Sequence, residues 1–324
     1  MAASCYPKID SALLTRSVVA GSKRFHPEFS FPDADVILRS FEGTLYRIHS
    51  YTLRTTSGLF STMFSLPQPA KCKVESQGQR EHKGSGEGGD YEPEEIPIYE
   101  SDFVVERLLR LLCSIPVPSW ESYDDVDRVL TAAEKWDTPG PIASIRAALT
   151  CPRLLSSDPL RLYVLAKHFD WKEEAKLAST QTLKLNLHDP IHAPTLARLS
   201  SKDLLPLLNL HRKRRDMFKR LIDSPERFTA GNSSTYHCSR CGVTQLDNYT
   251  WRELKNAMFA EIDRRPLGDT LGLGVGQLEE WPEATACWKA KCTKEGCDGL
   301  NYDRLATLRQ IKNCIDLLPS TIDD

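Results

Sequence analysis

The residues best suited to chemistry are cysteines. Ten occur in 324 residues. Cys5, Cys72, Cys113, Cys151 and Cys314 are scattered, whereas Cys238/Cys241 and Cys292/Cys297 come in close pairs. The first pair reads Cys238-Ser-Arg-Cys241-Gly242, a C-x2-C turn that aims two thiolates at one tetrahedral ion, with a glycine permitting the tight bend. Cys292-(x4)-Cys297 is a looser second pair, and two such knuckles complete a four-sulfur zinc site. The roughly fifty residues between the pairs exceed the usual zinc-ribbon interval. Free reduced thiols and a disulfide therefore stay open as alternatives. Cys287 and His237 are reserve ligands. Cys314 shares a helical face with Ile311 and Leu318, which suits a core position. Four protein ligands would close the site and make the zinc structural, since catalytic zinc keeps an open position.

The one dense basic run is His211-Arg-Lys-Arg-Arg215, reinforced by Lys219 and Arg220. It can act in nuclear import or phosphate binding. Its five consecutive positions spread around a helix, which suits a solvated helix end near a C-terminus. No aromatic interleaving or reading motif accompanies it, so nucleic acid is not the expected partner. The chain has no G-x-S-x-G, no phosphate-binding glycine loop and no H-E-x-x-H helix, and catalysis is not expected.

The composition is that of a globular protein, with 40% apolar and 27% charged residues and a formal charge of −2, giving no global attraction to nucleic acid or anionic membrane. No segment approaches the roughly 18 apolar residues of a membrane span. The best N-terminal candidate for a signal, Ser11 to Ala20, is broken by Arg16 and preceded by Lys8 and Asp10. The expectation is a soluble protein of cytoplasm or nucleus, where close cysteine pairs indicate metal more than disulfide.

These side chains must be positioned by the elements around them. Residues 1–30 lack a period and read as a flexible arm. Asp35-Val36-Ile37-Leu38-Arg39 and Thr44-Leu45-Tyr46-Arg47-Ile48 flank a turn with Gly43 late in it, a β-hairpin. Ser50 and Ser57 can cap two short helices. The Gly/Glu-rich insert, about 68–95, has little to bury and is expected to be disordered. Ile96-Pro97-Ile98 resumes as a strand. Helices follow from Ser101, around Val126 to Ala133, and from Pro141. The order is α+β with segregated elements rather than βαβ alternation. A helical region occupies 151–228, including a helix from Ser200/Ser201 to Ile222. Thr229 to Thr235 reads as a linker, and 229–324 as a Cys-rich lobe with helices near Trp251 to Arg264 and Tyr302 to Leu318.

The run Asp35-Val36-Ile37-Leu38-(x5)-Thr44-Leu45-Tyr46-Arg47-Ile48-His49-Ser50-Tyr51-Thr52-Leu53-(x3)-Ser57-Gly58-Leu59-Phe60-(x3)-Phe64 resembles the BTB/POZ domain, most of all its fungal members. Val129-Leu130-Thr131-Ala132-Ala133-Glu134-Lys135-Trp136 resembles that family's later helix. The likeness covers about residues 31–150 and rests on Asp35, His49, Leu53, Ser57, Phe60 and Phe64. It implies a non-enzymatic protein that homodimerises and recruits partners through apolar helix and strand surfaces. Family members often serve as substrate adaptors on the cullin scaffold of ubiquitin ligases, or as transcriptional regulators. Ser50 stands where the family usually has a basic residue. A nuclear regulator touching DNA through the basic run and the Cys-rich lobe is the second reading.

Asp35 and His49 are expected to form hydrogen bonds that hold the hairpin to the first helix. Leu53, Leu59, Phe60, Met63 and Phe64 are expected mostly in the core, with one or two facing a partner.

Overall fold

The computed structural model describes residues 24–67, 94–271 and 281–323. Most of the expected arm and nearly all of the expected insert lie outside the described residues. The chain divides into two compact units, Met1–Ala147 and Ala148–Asp324. Among the described residues it is a mixed α+β protein with one four-stranded sheet.

In the first unit, β1 (Phe25–Ser30), β2 (Val36–Arg39), β3 (Leu45–Ile48) and β4 (Glu94–Pro97) lie in the order β1-β3-β2-β4. β2 and β3 form the antiparallel hairpin, with Val36 opposite Ile48 and Arg39 opposite Leu45. Gly43 takes the left-handed conformation in its turn (φ 87°), where other residues are strained. Buried side chains alternate less than a one-sided sheet requires: Val36, Ile37 and Leu38 are all buried. Two-sided cover explains that continuous run.

β1 corrects the reading of residues 1–30 as an arm. Phe25–Ser30 pairs in parallel with β3. Phe29 is fully buried, His26 stacks on Tyr46 at 5.0 Å, and Glu28 pairs with Arg110 of the third helix. Its partner is some twenty residues away and its Pro27 masks the strand pattern, so a local reading misses it.

The helices of this unit are α1 (Ser50–Thr56), α2 (Gly58–Ser65), α3 (Asp102–Leu112), α4 (Tyr123–Lys135) and α5 (Pro139–Leu149). Ser57 caps α2 by accepting from Phe60 N, and its hydroxyl donates to Trp136 O at 2.5 Å, tying the α1–α2 corner to the end of α4. Ser101 stands at the N-cap of α3 but makes no side-chain cap bond. Instead Glu42 accepts from Asp102 N at 2.8 Å, and the Asp102 carboxylate receives Ser40 Oγ at 2.5 Å and Thr44 Oγ1 at 2.7 Å. The hairpin turn is thus bolted to the head of α3.

The second unit is helical: α6 (Pro152–Ser157), α7 (Pro159–His168), α8 (Lys172–Thr182), α9 (Ala193–Leu196), α10 (Ser201–Ile222), α11 (Thr229–Asn232), α12 (Tyr249–Arg264), α13 (Pro282–Lys289) and α14 (Arg304–Asp316). One core joins Phe218 and Ile222 of α10 to Phe228, Trp251, Leu254, Met258, Cys287, Ile311 and Cys314. The helical region and the Cys-bearing stretch are therefore one unit, not a spacer followed by a lobe. Nor is 229–235 a free linker. Gly231 is buried against Trp251, and Asn232 accepts from Trp251 Nε1 at 2.9 Å while donating to Ile222 O and Ser224 O. Small polar residues look like a linker in sequence, yet at Gly231 a Cβ would lie 2.4 Å from Trp251 Cδ1, so glycine is what fits beneath the indole.

Candidate metal centre

Two tight hairpins bring the paired cysteines together. In the first, Cys238 N donates to Thr244 O and Gly242 N to Cys238 O, each at 2.8 Å, while His237 bridges Gln245. Gly242 sits at φ 65°, the left-handed value that the bend needs. In the second, Cys292 N donates to Gly299 O at 2.8 Å and Lys291 bridges Leu300. Its longer loop turns through Gly296 (φ 74°) and Asp298 (φ 47°), which is how four intervening residues still return the second thiol to the first. The hairpins meet at Gly299. A Cβ there would lie 3.2 Å from Cys238 Sγ and 3.0 Å from Arg240 Cβ.

The sulfurs of Cys238, Cys241, Cys292 and Cys297 all lie within 4.8 Å of one another. Across the hairpins, Cys238 and Cys297 are 3.7 Å apart and Cys241 and Cys292 3.8 Å. A tetrahedral ion with zinc–sulfur bonds of about 2.3 Å places its ligands about 3.8 Å apart. The separations also far exceed the roughly 2.05 Å of a disulfide. The donor set and its geometry thus fit one tetrahedral metal.

Electrostatics favour thiolate on the first knuckle. Backbone N–H groups of Val243 and Thr244 hold the Cys241 thiol down at about 5, and those of Cys241 and Arg240 lower Cys238. Cys297 is pushed up to about 11. The Gly299 N–H pulls it down, but burial and the neighbouring sulfurs outweigh that pull. Four thiols this close cannot all ionise without a cation among them.

The reserve ligands stand apart from this cluster. Cys287 lies in the α13 part of the main core, where burial pushes its thiol up to about 12. His237 is exposed, and its ring is not among the metal-competent groups. Cys314 is fully buried in the main core.

The BTB-like residues occupy the first unit. Asp35 accepts from Ser50 N at 2.7 Å and from Ser50 Oγ at 2.5 Å, capping α1 from the neighbouring strand. Burial works against the charge of Asp35, but the bonds from Ser50 outweigh it and hold the carboxyl below its usual range. Ser50 thus partners Asp35. His49 is part-exposed and lies 3.7 Å from Asp33. Leu53, Ser57 and Phe60 are buried, Met63 and Phe64 half-buried, and Leu59 is 41% exposed.

The basic run does not lie at a solvated helix end; it sits in the middle of α10. Arg214 is buried and donates to the carbonyls of Pro266, Leu267, Leu318 and Pro319. Burial lowers it to about 10. Burial, with Arg214 and His188 nearby, lowers His211 to about 4. Arg215 pairs with Asp216 and Asp263. Sequence reasoning missed this clamp, because nothing in a charge run marks which member turns inward.

No helix among the described residues is long and apolar enough to cross a membrane. Comparison with protein-family models gives no match, and comparison with curated proteins gives none.

Proposed function

We propose that this chain is a non-enzymatic protein-interaction protein of the cytoplasm or nucleus. In this reading, residues 31–150 form a BTB/POZ-type domain that homodimerises and recruits a partner, and structural zinc staples the C-terminal part. The observation that carries the reading is the element order of the first unit: an antiparallel hairpin, a helix pair cornered at Ser57, a strand returning parallel to β2, then three helices. That order agrees with the resemblance carried by Asp35, His49, Leu53, Ser57, Phe60 and Phe64. Exposed Tyr51 (76%) and Leu59 beside a buried Phe60 give the helix pair an outward apolar side suited to a second chain.

Size-exclusion chromatography with light scattering tests the reading. A dimer at micromolar concentration is expected, and a strict monomer overturns it. Affinity purification with mass spectrometry then asks whether a cullin scaffold is among the partners. The zinc part is supported by the four-sulfur geometry and by thiolate character on the first knuckle. DNA contact through the basic run has less support, because Arg214 is turned inward and Arg215 is paired.

A further inference from the structure

The four metal-competent thiols are not equally placed. Cys238, Cys292 and Cys297 are buried, at 9% exposure or less, and Cys241 is half-buried, the member of the set most open to solvent. It faces Cys292 of the other hairpin at 3.8 Å, and the second pair across the hairpins, Cys238 and Cys297, is 3.7 Å apart. A cysteine that reaches solvent beside a second thiol is the arrangement in which oxidation stops at a disulfide. Cys287 and Cys314, by contrast, are fully buried in the main core.

Backbone bonds decide which sulfurs can close. The first knuckle is set by Cys238 N to Thr244 O and Gly242 N to Cys238 O, the second by Cys292 N to Gly299 O and Cys297 N to Lys294 O at 3.1 Å. Drawing the two thiols of one knuckle to the roughly 2.05 Å of a disulfide distorts these bonded turns. Drawing each thiol to its partner across the hairpins needs a closure of about 1.7 Å and moves one hairpin against the other with its turn intact. Gly299 stands where they meet, so no side chain blocks the approach to Cys238.

We infer that this centre is a reversible oxidation site, where hydrogen peroxide exchanges the metal staple for two disulfides across the hairpins, Cys241–Cys292 and Cys238–Cys297. Peroxide transfers one oxygen to the Cys241 sulfur, giving a sulfenic acid, and its other oxygen leaves as hydroxide. The Cys292 thiolate then attacks that sulfur, the S–S bond forms, and a second hydroxide departs. Solvent protonates both hydroxides to water. Cys238 and Cys297 consume a second peroxide in the same way, so four thiolates lose their charge and with it their hold on a cation. The inference rests on the metal reading of the site and goes beyond it in one respect: the hairpins stay closed when the ion leaves.

The test treats the zinc-loaded full chain with about two equivalents of peroxide. Metal content before treatment checks the zinc reading by itself. Released zinc is read with a chromogenic chelator, and bridges are mapped by mass spectrometry of an unreduced tryptic digest. Trypsin cuts after Arg240, between Cys238 and Cys241, and after Lys294, between Cys292 and Cys297, so every pairing gives its own linked peptides. Expected are Phe228–Arg240 joined to Glu295–Arg304 and Cys241–Arg252 joined to Cys292–Lys294, with zinc lost and the amides of 236–247 and 291–300 still protected. Dithiothreitol with zinc should restore the starting state. Bridges within a knuckle or to other cysteines, sulfinic or sulfonic acids without bridges, hairpin amides that lose protection, or thiols and zinc left unchanged would each overturn the proposal. A chain that takes up no zinc overturns the metal reading and with it the release step, and the bridge map of that metal-free chain still decides the pairing.

Discussion

Replacing Cys241 by serine should release the metal and unfold the two cysteine hairpins, and the size of the effect follows from how little else holds them. The buried members of this cluster are Cys238, Leu246, Cys292 and Cys297, with Tyr236 and Cys241 packed against them. Burying one leucine contributes about 1.5–3 kcal/mol. Fixing the backbone of the stretch 236–247 alone costs on the order of 10 kcal/mol. A structural four-ligand zinc supplies about 10–16 kcal/mol, enough to offset that ordering cost. Serine replaces the sulfur whose thiolate the Val243 and Thr244 N–H groups favour most, so metal affinity should drop by more than the roughly 10–100-fold of an outer-shell change. The assay is metal content by plasma mass spectrometry, read alongside amide exchange over 236–247 and 291–300. Wild type should carry one equivalent and protect these amides; the variant should do neither. A variant that keeps both, or a metal-free wild type with protected hairpins, would refute the argument.

Arg214→Ala should destabilise the second unit by about 3 kcal/mol in denaturant titration, because it strands buried carbonyls that a charged donor now serves. Arg214→Lys should recover little, since an ammonium cannot reach Pro266, Leu267 and Pro319 with one rigid fork. His211 has a folded value of about 4 against an ordinary 6.5, so the unfolded chain binds the proton first as pH falls. Its stabilising contribution is complete above pH 6.5 and is lost between 6.5 and 4, on the order of 3 kcal/mol in all. His211→Gln should flatten that acid limb of stability against pH, and an unchanged slope would count against the assignment. Gly231→Ala places a Cβ 2.4 Å from Trp251 Cδ1 and should cost about 1–3 kcal/mol, read as a lower thermal midpoint with blunted near-ultraviolet dichroism.

What the sequence makes legible is what is local. The β2–β3 hairpin, the Ser57 cap and the helices from α3 to α5 announce themselves through period two, period 3.6 and a capping hydroxyl, and the structure has each of them, with α4 starting at Tyr123, three residues before Val126. The four cysteines could be paired by spacing because each knuckle closes within its own loop. Elements defined by distant partners were not visible. β1 depends on β3 and on Arg110, and α11 on an indole twenty residues on. Arg214 looks like its basic neighbours in the run until the chain beyond Pro266 is folded back upon it. Ser50, read as a missing charge, turned out to be the partner of Asp35.

The sulfur cluster and the main core of the second unit are separate in composition, and that separation says how metal loss should propagate. The main core runs from Phe218 through Trp251 and Met258 to Cys314 and contains none of the four metal-competent thiols. It is joined to the hairpins by short polar links, such as Asn301 N to Ala290 O and Asn248 Nδ2 to Ser233 O. Chelation should therefore open the hairpins first and leave α10, α12 and α14 protected. The carbonyls that Arg214 holds belong to this surviving part, so Arg214→Ala should instead weaken the helical core while the metal stays bound. Applied to the same chain, the two perturbations should each lower stability with opposite patterns of amide exchange. A single cooperative loss in both cases would mean that the ion is integral to the helical core rather than a staple beside it.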